Sequence, residues 1–107
     1  KMKNELPVEE FIGISPEEAV EKLAEALKAW DEPMLKVIMN GYPLTSLKSN
    51  GYNGCELTIT GKIFKSGTYN GVFVPCEIKL SNGEKRKVNL ALSNDTHWKS
   101  WEVNGGI

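Results

Sequence analysis

Long apolar runs are missing from this 107-residue chain. No stretch approaches the ~18 consecutive apolar residues of a membrane span, and the first residues lack the apolar core of a signal peptide. Cysteine is scarce: Cys55 and Cys76 are the only two, 21 residues apart and in no CxxC pattern, which excludes a disulfide scaffold. Histidine is scarcer still. His97 stands alone beside Asp95, with no second histidine or neighbouring cysteine at metal-ligand spacing, so no metal site is expected. A strong charge of either sign is also absent. Thirteen Lys plus Arg face fourteen Asp plus Glu, which gives no sign of a nucleic-acid binder. No glycine stretch has the spacing of a phosphate loop or dinucleotide fingerprint, and no bound cofactor is expected.

What remains is an ordinary apolar fraction of 40% and charged fraction of 25%, enough for one core. The near-neutral balance hides an asymmetry. Residues 1–40 carry nine acidic and five basic side chains, whereas residues 41–107 carry five acidic and eight basic. Solvated faces of one domain account for this. A sharper reading is a basic surface that steers an anionic ligand, with Lys85, Arg86 and Lys87 as its only cluster. Paired carboxylates such as Glu9–Glu10 and Glu17–Glu18 are sequence neighbours at exposed positions and make poor acid–base candidates.

Residues 1–14 read as a lead-in segment, with Phe11, Ile12 and Ile14 able to touch the core, and residues 15–107 as a single domain. Ser15-Pro16-Glu17-Glu18 is a strong helix start: a serine N-cap, a proline at the first helical position and a glutamate closing a capping box. Val20, Leu23, Ala24, Leu27 and Trp30 then form one helical stripe. The helix is expected to stop near Asp31-Glu32-Pro33, because the residue before a proline disfavours helical angles. A short second helix over 34–39 and an irregular connection over 41–54 follow, with Leu44 and Leu47 as its anchors.

From Cys55 onward the apolar period changes to two, the mark of strands with one buried face. Four antiparallel strands are predicted, the last holding Trp101 and Val103. A slip of one residue would flip every side chain, so the apolar pattern selects the turns. It favours a three-residue loop over Ser81–Gly83, which pairs Cys76 with Val88 and Val74 with Leu90. A four-residue loop over 94–97 would pair Leu90 with Trp101 and Val88 with Val103. A loop over Gly67–Asn70 would pair Ile63 with Val74 and Phe64 with Phe73. Pro75 lacks a donor, so its place in the second strand calls for a bulge or an unpaired edge. Cys55 and Cys76 then fall out of register as buried free thiols, with no disulfide.

The same registers gather Phe64, Phe73, Ala91 and Trp98 on the outward face, a candidate homodimer interface. Tyr42, Tyr52, Trp101 and His97 are the candidate residues for a ligand pocket, which would suit a small apolar ligand. Six of the ten glycines follow an asparagine, and these pairs fall at or beside element ends.

The layout, with Ser15-Pro16-Glu17-Glu18-Ala19-Val20 continuing to Ala26-Leu27-Lys28-Ala29-Trp30-Asp31 and closing in Trp101-Glu102-Val103-Asn104-Gly105, resembles the cystatin-like or NTF2-like α+β fold. It is similar to small extracytoplasmic lipoprotein domains of unknown function found mainly in Gram-positive bacteria. The resemblance implies an N-terminal helix and a short second helix packed on a curved four-stranded antiparallel meander. It further implies a secreted or lipid-anchored protein whose membrane attachment lies in a removed N-terminal anchor. The cystatin Gln-x-Val-x-Gly hairpin is absent. The inward positions Leu57, Ile59, Ile63, Val74, Ile78, Leu90 and Trp101 are apolar, which favours a noncatalytic binding or interaction domain. The alternative is a small NTF2-like enzyme with a pocket between helix and sheet.

Overall fold

A computed structural model describes residues 7–95 and 99–107. The chain is α+β, with the order α1 (Pro16–Ala29), α2 (Glu32–Ile38), α3 (Leu44–Leu47), β1 (Glu56–Ile59), β2 (Val72–Lys79), β3 (Lys85–Ser93) and β4 (Glu102–Gly105). A 3-10 turn, Val8–Phe11, precedes α1, and a wide helical turn, Lys48–Tyr52, follows α3. The four strands form one open antiparallel sheet in the order β1-β2-β3-β4.

The start of α1 follows from its first four residues. The Ser15 hydroxyl accepts from the Glu18 N–H at 3.1 Å, and the Glu18 carboxylate accepts from the Ser15 N–H at 3.0 Å. The stop is not made by Pro33. Trp30 turns left-handed (φ 53°), and the Asp31 N–H donates to the Ala26 carbonyl at 2.8 Å. Asp31 then caps α2, and Pro33 occupies the first turn of that helix, where no N–H is needed. The Leu27 carbonyl, near the helix end, accepts from the Gly54 N–H at 2.9 Å, which leads the chain from the helix end into β1.

The buried stripe of α1 (Val20, Leu23, Leu27) meets the inward side chains of the sheet, Leu57, Val74, Cys76, Ile78, Leu90 and Leu92. Leu35 and Ile38 of α2 complete the core from the side. Phe11 is fully buried, so residues just ahead of α1 are part of the packing, whereas Ile12 is 40% exposed.

The β2–β3 register is the one expected from the three-residue loop: Cys76 pairs with Val88 and Val74 with Leu90. The first hairpin keeps its expected pair but shifts beyond it, and the β3–β4 register differs. Phe64 does pair with Phe73, but Ile59 pairs with Cys76 and Leu57 with Ile78, two residues away from a continuous ladder. The irregularity spans 60–63 and sits opposite Pro75. The Pro75 carbonyl accepts from the Thr60 N–H at 2.9 Å, and proline has no N–H to give in return. At the other edge Leu92, not Val88, pairs with Val103, with a bulge between Ala91 and Leu92. Trp101 lies before β4. Its N–H donates to the Phe11 carbonyl at 3.0 Å, and Ser100 bridges Ile12.

Candidate functional site

Two surfaces bring chemically distinctive side chains together. The first is the outward face of the sheet. Alternation along β2 turns Phe73 and Pro75 outward, and along β3 it turns Ala91 beside Phe73. The Phe64 bridge stacks its ring on Phe73 with centroids 5.3 Å apart and planes 19° apart. Tyr69 packs on the other side of Phe73 at 5.2 Å. The row runs Phe64, Phe73, Tyr69, and its outer member is 40% exposed. At its inner end the Tyr69 hydroxyl donates to the Asn104 side-chain oxygen, which also accepts from the Ser93 hydroxyl at 2.6 Å. These bonds tie the β1–β2 connection to β3 and β4. Burial pushes the Tyr69 hydroxyl above its ordinary pKa, Asp95 adds to this, and a hydrogen bond with Ser93 offsets it. The opposite end of this face is charged, with Glu56, Glu77, Lys79 and Lys85 around a shallow hollow.

The second surface is a groove of about 680 Å³ at the opposite end of the sheet. One wall is Leu47–Tyr52, and the other is the β2–β3 turn from Leu80 to Arg86, with Ile107 beside them. The walls are joined by the Ser81 N–H, which donates to the Gly51 carbonyl at 2.9 Å. Gly51 has φ +95°, a left-handed conformation that suits glycine. Arg86 is the only arginine, against twelve lysines. Its register opposite Ile78 places it on the inward side of the sheet, at the end where the core stops. The Glu84 carboxylate accepts from Arg86 Nε at 3.2 Å, and the Tyr52 hydroxyl accepts from Nη1 at 3.4 Å.

Of the three expected pocket residues that are described, only Tyr52 lines this groove. Tyr42 is half-buried against the core, and burial raises its pKa, with smaller contributions from Tyr69 and Tyr52. Trp101 is 8% exposed and belongs to the core, its indole N–H donating to the Ile14 carbonyl at 2.8 Å. His97 lies outside the described residues, as does Trp98 of the expected interface. Phe64, Phe73 and Ala91 do converge, but Ala91 is buried beneath the group, and Phe64 is its exposed member. Tyr69, Asn104 and Ser93 were not legible as partners, since they meet through a turn and two strands. Arg86 was legible only as one of three basic neighbours; strand alternation sends Lys85 and Lys87 to the other face.

Cys55 and Cys76 are free and buried, and desolvation raises each thiol to about 11. They are therefore protonated at neutral pH and inert as nucleophiles. Among the described residues, no group of three or more His, Cys, Asp or Glu side chains is placed to hold a metal ion. No helix among them is long and apolar enough to cross a membrane. The chain matches no family model, and no curated protein or solved structure is significantly similar to it.

Proposed function

We propose that this protein is a noncatalytic interaction domain that associates with a second copy of itself through the outward face of the sheet. The observation that carries this reading is the row Phe64–Phe73–Tyr69 on the outward face, with Phe64 at its edge 40% exposed. Aromatic side chains gathered on one face lose water-exposed area on association and supply rigid contacts. The same face bears Glu56 and Glu77 together with Lys79 and Lys85, so a two-fold axis can set carboxylates of one copy against ammonium groups of the other. The core between α1 and the sheet is filled by Leu23, Leu27, Ile78 and Leu90, which favours binding at a surface over catalysis in an interior pocket.

A long first helix and two short ones followed by a four-stranded meander in consecutive order also support a cystatin-like or NTF2-like fold as the finer description. Placement outside the cytoplasm, secreted or lipid-anchored, belongs to the same proposal and rests on that resemblance.

Light scattering across a concentration series tests the association. The expected result is a mass rising from monomer to dimer, with Phe64→Glu and Phe73→Glu each returning the chain to monomer while the circular dichroism spectrum is unchanged. A wild type that stays monomeric at several hundred micromolar would refute the reading.

A further inference from the structure

The groove between Leu47–Tyr52 and the β2–β3 turn has features of a site for a small anion. Its size falls within the ~300–1,000 Å³ range of small-molecule sites. Arginine is the side chain suited to planar, forked recognition of carboxylate or phosphate, and the chain uses it once, here. The guanidinium is held from two sides, by Glu84 on Nε and by the Tyr52 hydroxyl on Nη1. Nη2 has no protein partner among the described residues. Tyr52 is only 5% exposed, and its hydroxyl accepts from Arg86 without donating to any described residue. Its ring is buried while its part-buried hydroxyl meets the groove, so the unused proton is a donor that a ligand oxygen can take.

The remaining lining points the same way. Lys48 adds a second positive charge to the lining beside Arg86. The Asn82 side-chain oxygen is occupied by the Glu84 N–H at 2.8 Å, which leaves its NH2 group as a further donor. Arg86 Nη2, the Tyr52 hydroxyl, Lys48 and the Asn82 NH2 group are thus donors gathered around one opening, the chemistry that an oxyanion takes up.

We propose that this groove binds a small ligand bearing a carboxylate or phosphate group, whose oxygens take hydrogen bonds from Arg86 Nη2 and the Tyr52 hydroxyl, with Lys48 as the second cation. Glu84 is a positioning residue that orients the guanidinium. The site is independent of the outward sheet face, so its test and the light-scattering test can fail separately.

Amide-detected NMR titration of the full chain with inorganic phosphate, and separately with succinate, tests the proposal; sodium chloride at matched ionic strength is the control. Saturable shifts are expected at Gly51, Ser81 and Asn82 with at least one of the two anions, and which of them binds identifies the preferred oxyanion. Arg86→Lys keeps the charge but loses the fork, and Tyr52→Phe keeps the ring but loses the proton. Each is expected to weaken binding about tenfold, in line with the loss of a charge-assisted hydrogen bond, while amide positions elsewhere stay fixed. Shifts that never saturate, that chloride reproduces, or that persist equally in both variants would overturn it.

Discussion

Three Asn-Gly pairs that look alike in the sequence are expected to respond very differently to the same change, glycine to alanine. At Gly71, where β2 begins, an added Cβ would sit well inside contact distance of the Leu92 carbonyl oxygen and 2.7 Å from the Tyr69 ring. Backbone and a hydrogen-bonded ring are both there, so β2 and β3 must separate. Overpacking of this kind costs about 3 kcal/mol. At Gly41 the surroundings are empty, but φ is +99°, and the left-handed backbone alone costs about 1–2 kcal/mol with a side chain. At Gly105 neither restriction applies: nothing lies within 4 Å and φ is not positive, so alanine in the strand gains about 0.5 kcal/mol. Urea unfolding reads all three. With a slope of about 1.5 kcal/mol/M, Gly71→Ala should lower the midpoint by about 2 M, Gly41→Ala by about 1 M, and Gly105→Ala should raise it slightly. Equal losses at Gly71 and Gly41, or a clear loss at Gly105, would refute the assignment of these glycines to space, backbone angle and neither.

Two further outcomes follow from local chemistry. Ser15→Ala removes the oxygen that satisfies the Glu18 N–H and should cost about 1 kcal/mol, read as a lower thermal midpoint with an unchanged spectrum. The thiols of Cys55 and Cys76 ionise near 11 in the fold against an ordinary value of 9.0, so above pH 9 the unfolded chain binds fewer protons than the folded one. Stability is therefore intact below pH 9 and should fall as pH rises toward 11, a decline that a Cys55→Ala, Cys76→Ala double variant should largely lack.

How far the sequence reveals this fold depends on which physical signal each part uses. The start of α1 is legible because capping chemistry is local: Ser15, Pro16 and Glu18 act within one turn. The β2–β3 register is legible because the competing two-residue turn would have exposed one apolar face. Beyond the expected Phe64–Phe73 pair β1 is displaced by two residues, and the β3–β4 pairing differs from the expected one by four; even slips leave every side chain on its own face. Alternation cannot detect them. What sets those registers is non-local: the missing Pro75 donor, and the pairing of 100–101 with the segment around Phe11 and Ile12. The pattern alone puts Trp101 in the last strand and at a pocket for the same reason, since its partner, the Ile14 carbonyl, is 87 positions away. The aromatic row was visible in part because Phe64 and Phe73 share a register. The Arg86 groove was not, because its walls come from a helical turn and a hairpin about 30 residues apart.

The six Asn-Gly dipeptides also set how the protein ages chemically. Glycine has no side chain to shield its N–H, so its nitrogen can attack the preceding asparagine amide carbon, close a succinimide and release ammonia. Water then reopens the ring to aspartate or isoaspartate, each adding a negative charge. That attack needs the asparagine side chain free to swing toward the next residue. In the fold, Asn82 is engaged with the Glu84 N–H and Asn104 with Tyr69 and Ser93, so hydrogen bonds that close a turn and brace an aromatic row also delay covalent damage at those two positions. Unfolding releases both safeguards together. A stored sample would thus record its own history of local opening as a ladder of increasingly acidic forms.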